Sequence, residues 1–129
     1  MTDQVTSIEQ SKRLIELGVP ADKASMVWAT CSGKYHLSVL PHYKATPEYI
    51  KSGESIPAFT VADLLGLLPP KISCQGPSDG NFRMRRYMGE NGIEWVVDYD
   101  RFIANDVSII NALVETIILL VSTKHELNI

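Results

Sequence analysis

The chain predicts an α+β fold in which two antiparallel β-hairpins form one sheet and three helices pack on it, in the order α-β-β-α-β-β-α. Three observations carry this expectation. Two runs of strand-forming residues fold back at glycine-containing turns, one at Ser32-Gly33 and one at Gly89-Glu90-Asn91-Gly92. An amphipathic, capped stretch precedes each hairpin. A last stretch, Ser108 to Ser122, is apolar at nearly every position, with only Asn111, Glu115 and Thr116 interrupting Ile109 to Val121. At 129 residues, 45% hydrophobic and 21% charged, the sequence reads as a single domain, 1–129, with one core.

Thr6-Ser7-Ile8-Glu9 offers a capping box that starts the first helix. Ile8, Ser11, Leu14, Ile15 and Leu17 then share one side, and Gly18 followed by Pro20 stops it. Ser25–Cys31 and Lys34–Leu40 follow as strands. With Ser32-Gly33 as the turn, Thr30 faces Tyr35, Trp28 faces Leu37 and Met26 faces Val39. That side is expected to face the core and bury Trp28. The smaller, more polar side of Val27, Ala29, Cys31, Lys34, His36 and Ser38 is expected to be open.

Pro41 to Phe59 contains three prolines and no sustained period, and reads as a long loop with one helical turn at Pro47 to Lys51. Thr60-Val61-Ala62-Asp63 caps a second helix through Leu64, Leu65, Leu67 and Leu68, ended by Pro69-Pro70. After a polar loop, Lys71 to Gly80, the strands Phe82–Met88 and Ile93–Tyr99 form the second hairpin. A turn over Gly89–Gly92 pairs Met88 with Ile93, Arg86 with Trp95, Met84 with Val97 and Phe82 with Tyr99. This face is expected in the core except at Arg86, whose guanidinium can stack on the Trp95 indole. The other face sets Arg83 opposite Asp98, Tyr87 opposite Glu94 and Arg85 opposite Val96, and reads as solvated. Asn105 or Asp106 caps the last helix, and Lys124 and His125 near its end suit the helix dipole. Arg13–Leu17 and Asp63–Leu67 hold similar places before the two hairpins, which raises the hypothesis of an internal duplication.

For function, a net charge of −3 gives no global attraction to phosphate or anionic lipid. The start of the chain lacks the apolar stretch and cleavage site of a secretory signal, so a cytoplasmic location is expected. The C-terminal apolar run is short of the ~20 residues of a membrane span and contains Asn and Glu. Cys31 and Cys74 then read as free thiols. Cys31, His36, His42 and Cys74 could in principle form a tetrahedral set, but the spacing matches no compact zinc site. No metal or cofactor is expected. The glycines lack the context of a phosphate loop, no carboxylate pair is set up as acid and base, and no nucleophile has a marked base, so the chain reads as no enzyme.

Two surfaces remain. The leading one is the last helix, whose polar stripe of Ser108, Asn111, Glu115 and Ser122 leaves Ile110, Leu113, Val114, Ile117, Leu120 and Val121 to cover the sheet or to meet another chain. This favours a non-enzymatic interaction module, self-associating or binding a protein partner through that helix. The alternative is nucleic-acid binding through Lys71, Arg83 and Arg85, beside Arg86, Tyr87 and Tyr99. Asp98 and Glu94 across from the arginines, and the net acidity, weigh against it. A third reading is a ligand or metal site walled by the 41–59 loop.

The order TSIEQSKRLIELGVPADKASMVW, then IPAFTVADLLGLLP, then NALVETIILLVSTKHELNI resembles a group of small uncharacterised proteins encoded by gut bacteria and their phages or mobile elements. The resemblance spans most of the chain and rests on helix-like segments. It implies an intracellular accessory protein and brings no site residues.

Overall fold

The first helix starts one residue later than its best sequence signal. In the computed structural model, which describes residues 4–31, 33–39, 55–72, 80–90, 92–99 and 103–129, α1 runs Ile8–Glu16 with Ser7 as its cap. Ser7 and Gln10 form the reciprocal box, with the Gln10 N–H donating to Ser7 Oγ at 3.1 Å and the Ser7 N–H donating to Gln10 Oε1 at 3.0 Å. Thr6, the expected cap, is fully buried. Its hydroxyl shares a proton with Ser11 Oγ at 2.7 Å and accepts the Phe59 N–H at 3.0 Å, so a long-range bond outcompetes the local cap. Gly18 ends α1 in the left-handed conformation, φ +98°, and Val19 N–H closes back on Leu14 O.

The described residues form three α-helices and two three-stranded antiparallel sheets within two compact units, Met1–Asp63 and Leu64–Ile129. The expectation of one sheet is thereby corrected. Each hairpin acquires its own third strand, and both extra strands lie in segments that read as connections. In the first unit, β1 (Met26–Cys31) and β2 (Lys34–Val39) pair as expected, Met26 with Val39, Trp28 with Leu37 and Thr30 with Tyr35. β3 (Ser55–Ala58) then adds to the other side of β1, giving the order β2-β1-β3. Pro57 hid this strand from the sequence reading, but β3 is an edge strand, where a proline is tolerated. The rest of the expected 41–59 loop up to residue 54, with the turn at Pro47 to Lys51, lies outside the described residues.

The expected faces of β1 are also corrected. Val27 and Ala29 are buried, at 0% and 5% exposure, while Met26 and Trp28 are half-buried. As the central strand, β1 has a neighbour along each edge, β2 on one and β3 on the other. Ile56 and Ala58, which pair with Trp28 and Met26, are buried too. The Trp28 indole N–H donates to Thr6 O at 3.0 Å, tying the N-terminal segment to the sheet. Phe59, Leu14 and Val19 complete this core.

α2 (Val61–Leu67) is capped as the sequence indicates. The Asp63 N–H donates to Thr60 Oγ1 at 3.1 Å and Asp63 Oδ2 accepts the Thr60 N–H at 2.9 Å. The same carboxylate accepts the Ser25 N–H at 2.7 Å and the Ser25 hydroxyl, which anchors the entry to β1. The division between the units falls within this helix, after Asp63.

In the second unit, β4 (Arg83–Gly89), β5 (Gly92–Asp98) and β6 (Ile103–Asp106) form a meander in that order. The pairings of Met88 with Ile93, Arg86 with Trp95 and Met84 with Val97 hold, and Gly89 also pairs with Gly92, so the turn is the two residues between them. α3 (Ile109–Ser122) packs on β5 and β6. Its cap is Ser108, whose Oγ accepts the Asn111 N–H at 3.3 Å. Asp106, one of the two expected caps, instead steadies the cap residue by accepting the Ser108 N–H at 2.8 Å, and Asn105 lies in β6. Beyond α3 the chain returns to α2: the Asn128 N–H donates to Leu67 O at 2.8 Å and Asn128 Nδ2 to Gly66 O at 3.1 Å, closing carbonyls that a helix end leaves open. No helix among the described residues is long and apolar enough to cross a membrane.

Candidate functional site

The last helix does not present the surface expected of it. Ile110, Leu113, Val114, Ile117 and Leu120 are 0–4% exposed, and Val121 is half-buried. Its polar residues Asn111, Glu115 and Ser122 face solvent, while the helix packs on β5 and β6. The five buried side chains proposed for an interface are thus already covered within the chain, where they serve packing.

The exposed apolar side chains lie elsewhere. β6 pairs with only Trp95–Asp98 of β5, so among the described residues Gly92, Ile93 and Glu94 have β4 as their sole neighbour in the ladder. The far half of the hairpin is thus a two-stranded ribbon that overhangs the sheet. Met88 and Ile93, a cross-strand pair expected in the core, are 75% and 49% exposed there, and Tyr87 is 41% exposed. The hairpin register was legible, but burial depends on how far the third strand and α3 reach, which the local pattern of β4 and β5 does not encode. At the root of the ribbon, the Arg86 guanidinium sits 5.1 Å from the centre of the half-buried Trp95 ring, as the cross-strand pairing predicts.

The opposite face carries a worked set of polar groups. Arg83 Nε donates to Asp98 Oδ1 at 3.2 Å, with Asp98 only 6% exposed. The Tyr87 hydroxyl donates to Glu94, which also receives Asn105 Nδ2 at 3.5 Å. That hydrogen bond to a carboxylate holds the Tyr87 phenol above its usual pKa. The Glu94 carboxyl lies where a side chain at residue 89 would begin, 2.4 Å from the position of a Cβ there, so Gly89 makes room for it. Tyr87, Met88, Gly89, Glu90, Glu94 and Asn105 line an open groove of about 540 Å³. Val96, expected on a solvated face, is 5% exposed beneath these side chains. Between the two acid-bound groups stands Arg85, across from Val96 and with no carboxylate partner among the described residues.

The three basic residues weighed for nucleic acid are placed unequally. Arg83 is neutralised by Asp98, and Arg85 is exposed. Lys71 pairs with Asn81 in a short bridge that prolongs the edge of β4. It also lines a second open groove of about 640 Å³ with Ile72, Lys124, His125, Glu126 and Asn128. Of the weighed metal set, His36 is exposed on β2 opposite Ala29, and Cys31 pairs with Lys34 along the backbone. His42 and Cys74 lie outside the described residues, and no group of three potential metal ligands occurs among those described.

Buried in the same unit, Tyr99 stacks at a tilt with Phe82, ring centres 5.4 Å apart, and its hydroxyl donates to Pro69 O. Burial pushes its phenol well above the usual range.

Fold and site together define a small α+β protein with two three-stranded antiparallel sheets, one of which carries an overhanging ribbon edged with arginine. No protein-family model, no curated protein and no solved structure matches the chain.

Proposed function

We propose that the chain is a non-enzymatic interaction module of the cytoplasm that engages a protein partner through the β4–β5 ribbon. The observation that carries this reading is the exposure of the Met88–Ile93 pair on a hairpin that outruns its third strand. A bare two-stranded ribbon is marginal in water, and covering it would lift apolar area out of solvent at about 25 cal/mol per Å². Arg86, Trp95, Tyr87 and Met88 are also the residue types enriched in interface cores. The resemblance to small accessory proteins of gut bacteria and their mobile elements is in keeping with a binding role.

The test is a photo-crosslinking amino acid placed in cells at Glu90, beside the ribbon tip, and separately at the exposed Glu9 of α1. A discrete crosslinked protein is expected from position 90 alone, lost when Ile93→Ser and Met88→Ser are added. Equal labelling from both positions, or labelling that survives those changes, would overturn the proposal.

A further inference from the structure

Among the described residues, the backbone of β4 has an unpaired edge beyond Phe82, with a definite phase. β4 ends the sheet, with β5 on one side only. Phe82 N–H donates to Pro70 O and Ile72 N–H donates to Gly80 O, so residues 80 and 82 turn their backbone groups outward, away from β5. Gly89 and Gly92 close a two-residue turn, which makes them a bonded pair and turns the odd-numbered residues of β4 inward. Both ends of the strand give the same phase. Met84, Arg86 and Met88 therefore direct their N–H and C=O groups to the side away from β5, where no described strand pairs with them.

Resting on the reading of the ribbon as an interaction surface, we infer that the β4 edge accepts an extended acidic segment of a partner protein, added as a fourth antiparallel strand. Charge selects this occupant. β4 carries Arg83, Arg85 and Arg86 with no acidic residue, in a chain whose net charge is −3. Arg83 is satisfied by Asp98, whereas Arg85 on one face and Arg86 on the other lack a carboxylate among the described residues. A second copy of the chain is the poorer fit, since two β4 edges paired antiparallel about Arg85 or Arg86 set arginine against arginine. The register specifies the incoming strand. Side chains beside Met84 and Met88 should be apolar, those beside Arg85 and Arg86 acidic, and the one beside Tyr87 small and polar. Read in the direction of the added strand, that pattern is Val-Thr-Glu-Glu-Val.

A capped peptide with this core, flanked by Gly-Ser, is titrated into the full-length protein labelled with ¹⁵N. The amides of Met84, Arg86 and Met88 are expected to shift most, with Arg85 and Tyr87, already bonded to β5, shifting least. A Val-Thr-Lys-Lys-Val core should bind at least tenfold more weakly and regain affinity for the Arg85→Glu/Arg86→Glu protein. N-methylation of the glutamate beside Arg86 should weaken binding at least tenfold, and of the glutamate beside Arg85 less than twofold. Shifts without the alternating pattern, equal sensitivity to the two methylations, or indifference to charge would overturn strand addition. So would preferential, salt-sensitive binding of a labelled single-stranded oligonucleotide that the arginine reversals abolish, since it assigns the edge to phosphate. Should the peptide fail while the crosslink from position 90 persists, the edge inference falls and the ribbon interface stands; loss of both removes the interface as well.

Discussion

The two hairpins are built alike and finished differently. Each closes through a two-residue turn and gains a third antiparallel strand on the four residues away from that turn, β3 on Met26–Ala29 and β6 on Trp95–Asp98, but among the described residues only the second exposes a large apolar pair, Met88 and Ile93, beside its turn. Every large apolar side chain that is exposed among the described residues, Tyr87, Met88, Ile93, Ile103, Val107 and Ile129, belongs to the second unit. The described large apolar side chains of the first unit are buried or half-buried. Surface of this kind is where a partner would be accommodated, whereas hydrophobicity along a sequence, as in the last helix, marks only what must be covered by something.

The sharpest way to break this contrast is to place a charge on each kind of apolar position. Ile117→Glu puts an unpaired carboxylate in a fully buried site and should abolish the folded state, a loss of several kcal/mol read by circular dichroism and thermal melting. Ile93→Glu on the ribbon should shift stability by no more than about 0.5 kcal/mol. Comparable destabilisation by the two would erase the distinction between core and ribbon.

Thr6→Val tests what holds the first unit. It removes the acceptor of the buried Phe59 N–H and the partner of Ser11, and should cost about 1–3 kcal/mol in denaturant unfolding, although Thr6 was the better helix cap on sequence grounds. Ser7→Ala, which removes the cap in use, should cost about 1 kcal/mol.

The alkaline limb of stability belongs to the second unit. Because burial raises the Tyr99 phenol in the folded chain above its unfolded value of about 10, the folded state holds that proton more tightly. Its contribution is complete below pH ~10 and declines as the pH rises through and beyond that value. Tyr99→Phe should flatten this decline in chemical denaturation at pH 9 to 11, while losing the bond to Pro69 O. A small effect is expected from Asn128→Ala, about 0.5 kcal/mol or less, because it removes only the exposed side-chain bond to Gly66 O, which solvent can replace, and leaves the backbone bond to Leu67 O in place.

Much of the local geometry was legible in the sequence and much of its context was not. Both hairpin registers followed from turn residues and alternation, as did the Thr60–Asp63 box and the stacking of Arg86 on Trp95. These depend on neighbours within a few residues or directly across a tight turn. The sidedness of β1, the strands β3 and β6 and the exposure of Met88 and Ile93 depend on which distant segment lies alongside. A four-residue strand containing proline, such as Ser55–Ala58, leaves almost no periodic trace. The last helix was legible as needing cover on most sides, but not that β5 and β6 lie against it.

The chain has two tryptophans, and the fold deals one to each unit: Trp28 bonded through its indole N–H to Thr6 O, and Trp95 beneath a guanidinium. Each unit thus carries its own optical reporter in a distinct electrostatic setting. Emission from Trp28→Phe and Trp95→Phe proteins, followed through unfolding, separates what the parent spectrum superimposes: coincident midpoints mark one cooperative transition, and divergent ones two.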